Sequence, residues 1–127
     1  MKFSIIINTH NQKKHLKDAI KTCLKQNFKN YEILIIDTSK NKNKYIKNKK
    51  NLKYYYIKQM YSQPELNQLD KIFFGMKKSI GDYIVLMDGD DKFSKEKLYY
   101  LNKLIKKKNL TINQDLPLID NIYKKKN

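Results

Sequence analysis

Tyr83-Ile84-Val85-Leu86-Met87-Asp88-Gly89-Asp90-Asp91 is the stretch on which the reading of this chain turns. It joins an apolar run to three carboxylates set within four positions. A short apolar run bounded by turn residues is consistent with a strand buried on both faces. Carboxylates this close repel one another, and a divalent cation is the usual reason to hold them together; Mg²⁺ and Mn²⁺ both prefer carboxylate oxygen. Ligands of open α/β sheets gather at the carboxyl ends of strands. The run is therefore a candidate site for a metal-bound phosphate, with a merely solvated turn as the plain alternative.

Upstream, residues 3–7 and 31–36 form two more short apolar runs, interrupted only by Ser4 and Glu32, and 52–57 forms a tyrosine-rich one. Between the first two, Leu16, Ala19, Ile20, Cys23 and Leu24 recur at helical spacing, which predicts a helix with those residues inward. Leu66, Leu69, Ile72, Phe73, Met76 and Ile80 mark a second helix, and Gly81 suits its C-terminal cap. Ser94 suits the N-cap of a third helix reaching residue 108, with Leu98, Leu101, Leu104 and Ile105 inward. The polar connection 38–51 has little core material beyond Tyr45 and Ile46, which anchor a short helix in this reading. Residues 109–127 are a divergent tail, apolar over 110–119 but interrupted by Asp115 and Pro117, and frayed over 124–127.

Alternation of strands and helices predicts an α/β fold: one domain over 1–127, a mainly parallel sheet with helices on both faces. Right-handed crossovers then bring the loops after Ile7, Ile36 and Met87 to one rim. Those loops carry Thr9, His10, Asn11, Asp37, Asp88, Asp90 and Asp91.

Composition bounds the partners. The chain has 127 residues and a formal net charge of +16, and all 28 basic residues are lysine. Readers of nucleic acid rely on arginine for bidentate contacts, and lysine, asparagine, isoleucine and tyrosine are abundant together, as an A+T-rich coding sequence would give. Nucleic acid is accordingly not the expected partner, although a basic nucleic-acid-binding domain is a rival reading. The lysines are expected to form solvated faces and to attract acidic lipid head groups in peripheral membrane contact. Cys23 is the single cysteine, which leaves no intrachain disulfide and suits a buried small hydrophobe. No stretch reaches the ~18 apolar residues of a membrane span, and the amino terminus reads as a strand rather than a secretory signal, so a cytoplasmic location is expected. A chain this short is expected to leave the sheet's far side short of cover, which predicts self-association or marginal stability.

Several segments together carry a resemblance. Phe3-Ser4-Ile5-Ile6-Ile7-Asn8-Thr9-His10-Asn11, then Leu16, then Cys23-Leu24-Lys25-Gln26-Asn27-Phe28-Lys29-Asn30-Tyr31-Glu32-Ile33, then Gly81-Asp82-Tyr83 leading to Asp88-Gly89-Asp90-Asp91, resemble the family 2 inverting glycosyltransferases with the GT-A fold over residues 1–108. That resemblance implies a glycosyltransferase with a UDP-type sugar donor and a glycan or lipid-linked acceptor, as in cell-surface polysaccharide biosynthesis. It implies that Thr9, His10 and Asn11 lie beside base and ribose, that Asp37 contacts the base, and that Asp88 faces the ribose or the metal. Asp90 would hold a divalent Mn²⁺ or Mg²⁺ that bridges the diphosphate, with Asp91 in support.

The departures from the family pattern are specific. Asn8 stands where the family has proline, His10 where it has tyrosine, and Thr38-Ser39 where it has Asp-Gly-Ser. In the middle segment Asn67 and Lys71 are the nearest substitutes for the family's diphosphate-reading residues. Family members run longer, and their acceptor half supplies the general base; Asp115 and Asp120 do not sit in that setting, and no base is assigned. A non-catalytic nucleotide-diphosphate-binding module, degenerate or needing a partner chain for the missing half, is the first rival, ahead of the nucleic-acid-binding domain.

Overall fold

A computed structural model describes residues 1–108 and 122–124. In chain order the elements are β1 (Phe3–Thr9), α1 (Lys13–Leu24), β2 (Tyr31–Asp37), β3 (Leu52–Tyr56), α2 (Pro64–Lys78), β4 (Tyr83–Asp88), α3 (Lys97–Lys108) and β5 (Ile122–Lys124). The sheet order is β3-β2-β1-β4-β5. The first four strands are mutually parallel and β5 pairs antiparallel with β4. Among the described residues no helix is long and apolar enough to cross a membrane.

Predominantly apolar runs produce β1 and β2, and every residue of both strands is buried, the polar Ser4, Asn8, Thr9, Glu32 and Asp37 included. Alternate side chains go to opposite faces. Phe3, Ile5, Ile7, Ile33, Ile35, Val85 and Met87 meet Leu16, Ala19 and Cys23 of α1 and Leu98, Leu101 and Ile105 of α3. Ile6, Leu34, Ile36 and Ile84 face the other way, with Phe74 and Met76 of α2 packed against them. Each such aliphatic side chain, fully buried, contributes about 1.5–3 kcal/mol. Helices thus cover both faces, as the alternation predicts.

Helix α2 departs from its predicted orientation. Leu66, Leu69, Phe73 and Ile80 are exposed, while Asn67, Lys71 and Gly75 are the residues it buries. Gly75 explains the approach: a Cβ there would stand 2.7 Å from Ile6 Cγ2. Phe74 supplies the apolar contact instead, edge-on to Tyr55 at 5.3 Å. Leu24, expected inward, is 39% exposed.

Four further expectations are corrected. Residues around Tyr45 and Ile46 form no helix; a run of exposed lysines and asparagines gives a helix nothing to bury there. Gly81 is not a left-handed cap, because no glycine among the described residues has positive φ, and α2 ends at Ser79, whose N–H donates to the Gly75 carbonyl. Glycine is needed at 81 for closeness, since a Cβ would meet Ser4 N at 2.7 Å and the Phe3 carbonyl carbon at 2.9 Å. Ser94 is not the side-chain cap of α3. Gln26 does that work, accepting from Leu98 N at 3.0 Å and donating to Ser94 O at 2.7 Å. Of the tail, Lys124 pairs with Tyr83 in β5 rather than fraying; Asp115, Pro117, Asp120 and residues 125–127 lie outside the described residues.

The edge away from the site is latched by polar groups. Glu32 Oε1 accepts from Ser4 Oγ at 2.6 Å and from Ile80 N at 2.7 Å, and Ser4 Oγ accepts from Gly81 N at 2.8 Å. Gly81→Ala drives a methyl into backbone that cannot yield, so a loss of about 1–3 kcal/mol is expected. Urea unfolding measures it, and an unchanged midpoint would show that the latch slides freely.

Candidate functional site

Strand register builds the rim. Thr9 pairs with Asp37 and Asn8 pairs with Asp88, so residues from three distant segments end side by side. Gly89 N donates to Asn8 O at 3.0 Å and Asp91 N donates to Asp88 O at 3.0 Å, closing the acidic segment into a turn. Only glycine fits at 89, where a Cβ would stand 2.5 Å from Thr9 Oγ1. In that turn one carboxylate oxygen from each of Asp88, Asp90 and Asp91 lies within 4.8 Å of the others, and all three residues are exposed. Three hard oxygen donors open to solvent fit Mg²⁺ or Mn²⁺, which keep several waters.

Asp88 is oriented by neighbours. Asn8 Nδ2 donates to Asp88 Oδ1 at 2.9 Å, and Gln68 Nε2 approaches the same oxygen at 3.3 Å. Across a cleft of about 370 Å³ stand His10, Gln12, Asn67, Gln68 and Lys71, within the size range of small-molecule sites. Lys71 is 5% exposed, and its Nζ donates to the Thr9 carbonyl at 3.2 Å. Burial pulls its ammonium below the ordinary lysine range, against the opposing pull of Asp37 and Asp88. Asn67 is spent on its own loop: it accepts from Tyr61 N at 3.0 Å and donates to Tyr61 O at 2.6 Å. It shapes the wall rather than offering free donors.

Asp37 lies in a neighbouring hollow of about 210 Å³, with Asn11, Lys13 and Ser39. The aspartate is 2% exposed. Ser39 N donates to Oδ1 at 2.8 Å, Ser39 Oγ donates to the same oxygen, and Tyr54 Oη donates to Oδ2 at 2.6 Å. Burial, with this bond to a carboxylate, raises the Tyr54 pKa. Asp37 thus caps the turn after β2 and starts no helix. Asn11 sits at φ 52°, a left-handed conformation that asparagine tolerates. Its N–H donates to Ser39 Oγ at 2.7 Å and its Oδ1 accepts from Lys40 N at 2.9 Å, tying the two rim loops together. His10 Nδ1 lies 2.9 Å from the Thr38 carbonyl. A carbonyl only accepts, so Nδ1 carries the proton, and Nε2 accepts from Asn11 Nδ2 at 3.1 Å. Thr9 is 1% exposed, and its hydroxyl points at Gln12 Oε1, 3.3 Å away.

The structure therefore brings Asp88, Asp90, Asn67, Lys71 and His10 to one cleft and Asp37 with Asn11 to the hollow beside it. Sequence reasoning missed Asn8, Gln68 and Tyr54 as site residues. Asn8 departs from the family pattern, and its place opposite Asp88 is set by the strand register, which appears only in the folded sheet. Gln68 lies one turn before Lys71 on α2, and Tyr54 lies in β3, as the tyrosine-rich run predicts, with its hydroxyl at Asp37.

The sequence model for "Glycosyl transferase family 2" matches residues 4–122. The chain belongs to glycosyl transferase family 2. This family 2 domain is 34% identical over 113 residues to an uncharacterised glycosyltransferase of Rickettsia conorii, covering 85% of the chain and 18% of that protein. It superposes on S. aureus TarS 1–349 with a TM-score of 0.71 at 26% identity, over 86% of the chain and 33% of TarS 1–349. TarS 1–349 structures with UDP and with UDP-GlcNAc match equally well. The mannosyltransferase PcManGT of Pyrobaculum calidifontis, solved with GDP-Man and Mn²⁺, gives a TM-score of 0.61 at 12% identity over 82% of the chain and 32% of that protein, which shows the fold alone. The family 2 domain thus spans about a fifth of its Rickettsia relative and a third of TarS 1–349.

A titration isolates the buried lysine of this family 2 domain. Between the lowered pKa of Lys71 and its ordinary value of 10.5, the unfolded chain binds a proton that the folded chain does not. Stability then rises with pH through that window, and the cost of burying the charge is fully present below it. Urea midpoints of wild type and Lys71→Met compared across the window are expected to show the rise in wild type only; parallel pH slopes would refute the assignment.

Proposed function

We propose that the domain binds a UDP-type sugar donor along the rim and serves the donor side of an inverting glycosyl transfer to a glycan or lipid-linked acceptor. The observation that carries this reading is the Asp88-Gly89-Asp90-Asp91 turn facing buried Lys71 across one cleft, with Asp37 beside it. The family 2 match, and UDP and UDP-GlcNAc bound to TarS 1–349 at 26% identity, support the choice of donor.

In this proposal Asp90 and Asp88 hold Mn²⁺ or Mg²⁺, with Asp91 in support. When bound, the cation supplies Lewis-acid stabilisation of the charge that gathers on the departing diphosphate. Asn8 and Gln68 fix the Asp88 carboxylate before the donor arrives, so no reorganisation accompanies the reaction. Lys71 presents a positive charge that a phosphate neutralises; the anion restores the ammonium that burial disfavours. His10 and Asn11 line the base and ribose end, which Thr9 supports from within. Asp37, held by Ser39 and Tyr54, fixes the floor of that end. Inversion requires the acceptor hydroxyl to attack the anomeric carbon as the bond to the diphosphate breaks, its proton passing to a general base. No described residue is assigned that role, and lack of a base lowers the rate by about 10²–10⁴.

Calorimetric titration of UDP with and without Mn²⁺ tests the reading. Mn²⁺ is expected to tighten UDP binding to wild type by about tenfold or more, a change of ~1.4 kcal/mol, and to leave Asp90→Ala unaffected. Equal affinity in all four conditions would remove the metal site. Thermal shifts across UDP-, GDP- and CDP-sugars are expected to be largest with the uridine donors.

A further inference from the structure

We propose that the face formed by α1 and the loop before β3 is a docking surface for an anionic lipid bilayer. Its centre is an apolar groove of about 550 Å³, floored by Ile20, Leu24, Ile46 and Leu52 and bordered by Lys13, Lys17, Lys47 and Lys49. Tyr45 stands at its lip, 79% exposed, with Lys13 Nζ 4.8 Å from its ring centre. A tyrosine with a wet hydroxyl and an apolar ring suits the head-group layer.

Charge complementarity selects the occupant. From Thr38 to Pro64 the chain has no acidic residue, and six lysines fall between 40 and 50. Asp18 is the one acidic residue on α1, against Lys13, Lys14, Lys17 and Lys21. Clusters of four to eight lysines beside apolar surface are the pattern of acidic-lipid binding, each contributing about 1 kcal/mol near the membrane, or roughly fivefold. Long lysine stems reach upward past an apolar floor, so the groove admits lipid while the ammonium groups meet phosphate. A nucleic acid would use the same charges but would leave the aliphatic floor unused, and the face has no arginine for it.

The location has a functional sense. Lys13 and Asn43 line both this groove and the hollow containing Asp37, so docking would set the rim at the membrane surface. The inference does not rest on the donor reading, since a face can bind lipid whatever the cleft binds.

Co-sedimentation of the full chain with vesicles provides the test. Binding is expected to vesicles of phosphatidylglycerol and phosphatidylcholine and not to phosphatidylcholine alone, and to weaken as salt is added. The triple variant Lys17→Ala/Lys47→Ala/Lys49→Ala is expected to bind about 100-fold more weakly, and Tyr45→Ser about tenfold more weakly. Lys77→Ala/Lys78→Ala, on α2, is expected to bind as wild type does, with circular dichroism unchanged in every variant. Equal binding to both vesicle types, no binding, or equal losses from the α1-side and α2-side lysines would overturn the proposal. So would tighter binding of a single-stranded oligonucleotide that depends on the same lysines.

Discussion

Parallel pairing of β1 with both β2 and β4 is the constraint from which the site follows. The register places Asn8 opposite Asp88 and Thr9 opposite Asp37, so the strand ends cannot part without unzipping largely buried hydrogen-bonded ladders. The last carbonyls of β1 then serve three masters. Asn8 O receives Gly89 N, and Thr9 O receives both Thr38 N and Lys71 Nζ. One strand end thereby positions the acidic turn, the Asp37 loop and the buried lysine together.

Helix α2 shows how a site reshapes packing. A helix normally turns its apolar stripe to the sheet. Here the amino-terminal half faces the sheet with Asn67 and Lys71, and close approach is made at Gly75. The apolar residues displaced from that face emerge on the outside as Leu66, Leu69 and Phe73. Local hydrophobic preference has yielded to the placing of a buried cation in a cleft of mostly neutral polar side chains that also holds the Asp88 and Asp90 carboxylates.

The parts legible in the sequence share a physical reason. Residues 3–7, 31–36 and 83–87 are strongly apolar runs, broken only by Ser4 and Glu32, that doubly covered strands satisfy, and the spacing of Leu98, Leu101 and Ile105 left one inward face for α3. The orientation of α2 was illegible because periodicity assumes that the inner face is the apolar one. Gly81 is ambiguous in the sequence because close backbone contact and positive φ leave the same letter. Asn8 and Tyr54 acquire their roles from cross-strand neighbours, which no local pattern records. The acidic turn was legible as chemistry, whereas the holding of Asp88 by Gln68 depended on how α2 is rotated.

Cys23 lies fully buried beneath this assembly, its thiol 3.3 Å from the Met87 sulfur and pushed up to about 12 by burial. A thiol so protected is inert while α1 stays seated on the sheet. As the sole cysteine, it serves as an intrinsic clock: the rate at which an alkylating reagent modifies it reports how often α1 lifts away from the strand that ends in the acidic turn. Breathing of the scaffold directly under the rim is thus open to measurement without adding any probe.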